Sequence, residues 1–180
     1  MTRTEISWFE EKALLPLLRK ENASYVAPFA PMSVAVTGAN DRQMINACLL
    51  YRFSMSYEPR DFHGELDEIP VSMAYGRAVD ELRRRHRAWL WDAEFRDTIG
   101  AEVRANGEPL KTFTVFQRKD GLRAVAFANM RDDAPAVCEV SLLNPATKGL
   151  HWISPESPEP KPWPGKLELV PGSVAVLLEG

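Results

Sequence analysis

The chain has 180 residues, of which 45% are hydrophobic and 26% charged, with a formal net charge of −3. That length holds one domain or two small ones, and the composition is that of a soluble globular protein. The slight acidic excess argues against general nucleic-acid affinity, which needs clustered surplus Lys and Arg, and no apolar run is long enough to cross a bilayer.

Residues 5–20, EISWFEEKALLPLLRK, read as a helix with Ile6, Phe9, Ala13, Leu14, Leu17 and Leu18 on its apolar side, kinked or split by Pro16. A short strand is expected within 24–37, where β-branched and aromatic residues are interrupted by Pro28 and Pro31. Asn40 or Asp41 caps a second helix, DRQMINACLL, with Met44, Ile45, Cys48 and Leu49 on one face. Residues 51–57, YRFSMSY, alternate Tyr51, Phe53, Met55 and Tyr57 with Arg52, Ser54 and Ser56, which is a strand pattern. The alternative is that the preceding helix continues to Tyr57. A polar loop, EPRDFHGELDE, follows. This order of helices and strands is that of part of a parallel α/β sheet.

Ile69 to Phe95 is predicted to be one long amphipathic helix ending at an aromatic hinge, WLWDAEF. Val71, Ala74, Tyr75, Ala78, Val79, Leu82 and Trp89 draw its apolar stripe. Pro70 suits the first turn. Asp67 and Glu68 sit at the positive end of its dipole, and Arg83, Arg84, Arg85 and Arg87 at the negative end, read as a solvated last turn. Gly76 costs about 1 kcal/mol relative to alanine in a helix interior, which close packing against a neighbour would explain. Trp89 and Trp91 are read as packing residues.

Beyond Phe95 the period changes to two. IGAEVRA, LKTFTVFQRK, LRAVAFAN, AVCEVSLL, LHWIS, KLELV and SVAVLLE read as strands. Asn106-Gly107 and Asp120-Gly121 are hairpin turns, and Pro171-Gly172 joins the last two strands. SPESPEPKPWPG is read as an extended proline-rich surface loop. Strands without intervening helices predict an antiparallel sandwich. The fold class expected is therefore α+β in two parts: a partial α/β segment over 1–95 and a β-sandwich over 96–180.

Cys48 and Cys138 lack any CxxC partner and read as two buried thiols in a reducing compartment. MTRTEISWFEEK lacks the succession of a secretory signal, so a cytoplasmic location is expected.

The segments YRFSMSYEPRDFHGELDEIP, AYGRAVDELRRRHRAWLWDAEFRDTIGAEV, VFQRKDGLRAVAFAN and PGSVAVLLE together resemble the C-terminal end of a TIM-barrel glycoside hydrolase followed by its β-sandwich domain. The likeness spans roughly residues 40 to 180 and lies in layout and phrase, not in a catalytic motif. It implies that 1–95 contributes the last strands and helices of a barrel that needs about 250 residues in all. The remaining strands then lie outside this chain, and self-association or a missing barrel portion is the partner it implies; the alternative is a rearranged small domain that needs no barrel.

In such barrels active sites form at the C-terminal ends of the strands, so Glu58, directly after YRFSMSY, is the first candidate, with Asp61, His63 and Glu65 following in the loop. Glycoside hydrolysis needs two carboxyl groups across the scissile bond, and this loop offers one member. A solvated acidic lead-in to a helix is the blander and preferred account. Trp152 and Trp163 flank the proline-rich loop and are candidates for stacking on sugar rings. Against that stands burial of Trp152 in the core and Trp163 tacking the loop down. The three histidines show no metal-ligand spacing, no serine lies in a GxSxG context, and no glycine-rich phosphate loop is present. No metal or cofactor is expected. The functional expectation is the C-terminal fragment of a carbohydrate-active protein, by itself lacking a complete catalytic pair. The alternative is a non-catalytic carbohydrate- or protein-binding module.

Overall fold

The structure is a computed structural model that describes residues 33–36, 38, 40–59, 63–145 and 149–180. The helix expected over 5–20 lies outside the described residues, as does most of the 24–37 segment, whose strand is β1 (Ser33–Val36). Helix α1 (Arg42–Tyr51) follows, beginning after Asp41, whose carboxylate accepts the Gly38 N–H at 2.7 Å. Every residue from Ile45 to Tyr51 is buried. The helix stops where Arg52 turns left-handed (φ 56). Strand β2 (Ser54–Tyr57) then runs parallel to β1, with Ser33 opposite Ser54 and Val36 opposite Tyr57. Neither sequence reading of YRFSMSY is complete: Tyr51 belongs to the helix, Arg52 reverses the chain, and only 54–57 pair as a strand.

The predicted 69–95 helix is two helices. A capped 3-10 turn (Leu66–Glu68) leads into α2 (Pro70–Arg85), and α3 (Arg87–Leu90) follows after a break at His86. The break occurs where the His86 ring meets the carbonyl oxygen of Pro158 at 2.7 Å. The buried face of α2 is Ser72, Tyr75, Gly76, Val79, Leu82 and Arg83, which corrects the predicted stripe. Val71 is 51% exposed, and the face is turned toward Ser72, whose hydroxyl accepts the Asp41 N–H (2.8 Å) and donates to the Gly38 carbonyl (2.6 Å). Gly76 is needed by contact, since a Cβ there would lie 1.9 Å from the Tyr57 hydroxyl.

The rest is a β-sandwich, so the class is α+β. One sheet has six strands in the order β10 (Ser157–Pro162), β9 (Leu150–Ser154), β12 (Ser173–Glu179), β7 (Arg123–Asn129), β6 (Phe113–Gln117), β3 (Glu94–Phe95). The other has β11 (Lys166–Leu169), β8 (Ala136–Leu142), β4 (Ala101–Ala105) and β5 (Glu108–Pro109). All pairings in both are antiparallel. Asn106 (φ 53) and Gly107 (φ 87) form the turn between β4 and β5, the left-handed pair a two-residue hairpin turn requires.

Strands β7 and β12 are buried along their whole length, and the period of two divides their side chains between two cores. Ala124, Ala126, Ala128, Val174, Val176 and Leu178 face the helices. Val125, Phe127, Ala175 and Leu177 face the four-stranded sheet. The three alanines let α1 lie close against the sheet. The proline-rich segment is the edge strand β10 rather than a loop. An edge tolerates Pro158, Pro160 and Pro162 because one side of the strand needs no donors. Among the described residues, no helix is long and apolar enough to cross a membrane.

Candidate functional site

The unit β1–α1–β2 brings its two strands out on the same edge, and Glu58 is the first residue past β2. Its N–H donates to the Val36 carbonyl at 3.0 Å, which extends the ladder by one residue and fixes where the side chain begins. Ser56 and Glu58 are two apart and so leave the strand on one side. The Ser56 hydroxyl donates to the Glu58 carboxylate, holding the half-buried side chain in place. Pro59 is buried, and the Gly64 N–H returns to its carbonyl at 2.9 Å. A Cβ on Gly64 would come within 2.9 Å of that same oxygen, so glycine is what lets the loop close.

Around this closure the other loop candidates separate. His63 is exposed. Glu65 is the N-cap residue of the 3-10 turn and forms a reciprocal capping box with Glu68, whose side chain accepts the Glu65 N–H at 3.3 Å. Asp61 lies outside the described residues. The structure thus gives Glu65 a local capping role and leaves Glu58 as the loop carboxylate fixed at a strand end.

Trp152 on β9 is half-buried and lies opposite Leu177 of β12, on the side of the sheet that faces the second core. Lys161, its neighbour across the edge, holds its ammonium 5.3 Å from the Trp152 ring centre. Trp163 packs against that core, edge-on to Phe127 with ring centres 6.1 Å apart. At the hinge, Trp89 packs on the helix-facing core under the Arg118 guanidinium (4.5 Å), and Trp91 lies 5.6 Å from that of Arg83.

Sequence reasoning missed Arg52 and Arg83. Arg83 is buried, not solvated with the rest of the arginine run. It donates to the carbonyls of Cys48 and, at 2.9 Å, Phe53. Arg52 reaches the other way, donating to the carbonyls of Trp91 (3.1 Å) and Ala93 (2.7 Å). Arg83 thus ties α2 to the last turn of α1 and to the residue before β2, and Arg52 ties the end of α1 to the residues that follow α3. Burial, and then the charge of Arg83, lower the pKa of Arg52; burial also lowers that of Arg83, against the opposing pull of Cys48, Asp80 and Tyr57. Burial raises the Asp80 carboxyl, which Arg83 pulls down. The signal was present in the spacing: Tyr75, Val79 and Arg83 recur every four residues, which puts Arg83 on the buried face.

Both cysteines are free and buried. Burial pushes the Cys48 thiol up to about 12 and that of Cys138 to about 11, so both stay protonated and neither is a ready nucleophile. Among the described residues, no group of three His, Cys, Asp or Glu gathers to hold a metal ion.

No protein-family model matches the chain, and no curated protein matches it. Among solved structures it is similar to a GH27-β-L-arabinopyranosidase from Geobacillus stearothermophilus, with 10% identity and a TM-score of 0.42 over 79% of this chain. The chain spans 31% of that enzyme's length. These values carry neither fold nor activity from that enzyme to this chain.

Proposed function

We propose that this chain is the C-terminal part of a carbohydrate-active, glycoside hydrolase-like protein, with residues 1–95 the last elements of an α/β barrel and 96–180 the sandwich that supports them. One observation carries the reading. The parallel β1–α1–β2 unit ends in Glu58 at the edge where barrels collect their reacting side chains, and α1 rests on the six-stranded sheet. Glu58 would supply one carboxyl group, held by Ser56. A second carboxylate completes the pair that glycoside hydrolysis needs, either Asp61 from this loop or one contributed by the rest of the barrel. The two buried free thiols support a reducing compartment.

The test is an aryl-glycoside panel applied to this chain and to the same chain extended through its natural upstream reading frame. Turnover is expected from the extended protein and lost on Glu58→Gln, with none from the 180 residues alone. Turnover by the 180 residues would overturn the fragment reading, and an extended protein unaffected by Glu58→Gln would remove Glu58 from the chemistry.

A second reading, a non-catalytic carbohydrate-binding module, is favoured by the half-buried Trp152 ring beside Lys161 at the sheet edge. Oligosaccharide titration read by tryptophan fluorescence tests it. A sugar response abolished by Trp152→Ala supports the module, and no response to any sugar excludes it.

A further inference from the structure

We infer that the cleft between the start of β2 and the last turn of α2 binds a small, ring-bearing anion, its carboxylate or phosphate taken by Arg83, Arg84 and Arg87 and its ring laid against Trp91. The inference stands apart from the reading of Glu58. The cleft opens beside Ser54, the first residue of β2, and Glu58 lies four residues along, roughly 13 Å away at strand rise.

The cleft has a volume of about 360 Å³, at the lower end of the size range of small-ligand sites. Three guanidiniums line it against one carboxylate, that of Asp80. Arg83 is the decisive group. Its side chain is only 8% exposed, and its hydrogen bonds go to two neutral carbonyls, leaving Nε without a partner. The Asp80 oxygen lies 3.7 Å from its Nη1, beyond hydrogen-bonding distance. Arg52, 3% exposed and close enough for the two charges to act on each other, donates to the carbonyls of Trp91 and Ala93. A guanidinium taken out of water without a hydrogen-bonded carboxylate is costly, and an oxyanion at the mouth of the cleft relieves that cost through its charge.

Arg84 and Arg87 complete the receptor from the solvent side. Glu81 holds Arg84 at 2.7 Å and Asp92 holds Arg87 at 3.1 Å, so both heads are steered before a ligand arrives. Trp91 and Met55 supply the apolar wall. Asp80 would repel a second charge but accepts hydrogen bonds, which suits a ring bearing hydroxyls. The chemistry that fits all six groups is a hydroxylated ring with one anionic group, such as a hexuronate or a sugar phosphate.

The experiment is titration of the intact chain with glucuronate, glucose 6-phosphate, inorganic phosphate and glucose, read at the Trp91 indole N–H by two-dimensional NMR. Saturable shifts with glucuronate or glucose 6-phosphate and none with glucose are expected. The double variant Arg84→Ala/Arg87→Ala, altered only at exposed positions, should keep the parent unfolding midpoint and lose affinity by about tenfold or more. Trp91→Leu, followed instead at the Arg84 and Arg87 side-chain Nε–H signals, should weaken the sugar anions and leave any phosphate contact unchanged. No shift with either sugar anion at millimolar concentration overturns the inference. So does equal affinity for glucose, or for phosphate alone.

Discussion

Arg123 on β7 and Glu179 on β12 offer the sharpest test of how the sandwich is held together. Their side chains are 10% and 1% exposed. Arg123 Nε and Nη2 donate to the two carboxylate oxygens at 3.0 and 3.1 Å, and its backbone N–H adds a third bond to Glu179. The remaining guanidinium donors reach the carbonyls of Gly100, Leu143 and Asn144, in the segments flanking β4 and β8 of the opposite sheet. All five guanidinium N–H groups are used, so the pair clamps the two sheets. Glu179→Ala leaves a buried cation uncompensated, a change that costs about 3–5 kcal/mol. For a chain of this size 1 kcal/mol shifts the midpoint by about 2–4 °C, so the fall in Tm should be roughly 6–20 °C. Thermal and urea unfolding measure it. Arg123→Met/Glu179→Leu should cost less than Glu179→Ala alone, because well-packed apolar groups can replace a buried ion pair and the carbonyls of exposed Leu143 and Asn144 can turn to water. A Glu179→Ala cost under about 1 kcal/mol, or a double variant less stable than Glu179→Ala, would refute the clamp.

Three further expectations follow from single contacts. Gly76→Ala gains about 1 kcal/mol of helix propensity but drives a methyl into Tyr57, an overpacking cost of about 1–3 kcal/mol. A net loss of stability is expected in urea titrations, and it should shrink in a Tyr57→Phe background. Cys48 has its thiol raised from 9.0 to about 12, so the folded state holds its proton more tightly than the unfolded state. Its contribution is fully present below pH 9 and is lost as pH rises toward 12; Cys48→Ala should therefore flatten the alkaline limb of the stability profile. Trp163→Ala removes an edge-on partner of Phe127 and should destabilise the chain by about 2 kcal/mol, as measured by urea midpoint. An unchanged midpoint, together with a lost sugar response, would instead assign Trp163 to ligand stacking.

What the sequence made legible was local. Asn106-Gly107 and Asp120-Gly121 turn where Asn106, Gly107 and Gly121 take a left-handed backbone, and RAVAFAN and SVAVLLE are the strands their period predicts, though their burial on both faces is not read from it. What it concealed depended on contacts from elsewhere. Arg52 ends α1 in a left-handed turn, and its guanidinium reaches carbonyls about forty residues away in the chain. The 69–95 helix breaks at His86, whose ring meets the Pro158 carbonyl of β10. Among the described residues SPEPKP gains its strand partner from β9, so its prolines gave no local sign of pairing. The same limit applies to the candidate site. Glu58 was readable as the residue after a strand, whereas the Ser56 hydrogen bond and the capping role of Glu65 depend on how the loop closes.

The change of periodicity near residue 95 divides the secondary structure but not the core. Helix α1 is buried for seven consecutive residues, which a helix achieves only with partners on several sides. Ala124, Ala126, Val174, Val176 and Phe116 of the six-stranded sheet belong to the same cluster as its Ile45 and Leu49, and Tyr75 and Val79 of α2 complete it. Polar links cross the same seam: Thr114 donates to the Leu50 carbonyl at 2.8 Å, and Asn46 joins the Tyr75 hydroxyl (2.6 Å) to the Gly172 carbonyl (3.0 Å). Cutting at 95 would bare one apolar face of β6, β7 and β12, and contiguous apolar patches of more than a few hundred Å² are rarely tolerated on monomers. Residues 96–180 expressed alone should therefore associate or bind a hydrophobic dye more strongly than the whole chain does. A monomeric, cooperatively unfolding 96–180 would mean that the sandwich stands alone and that α1 is a guest on it. The opposite result would make the sandwich face a structural part of the site-bearing half, so that a substitution such as Ala126→Leu weakens ligand binding at either end of β2 without touching it.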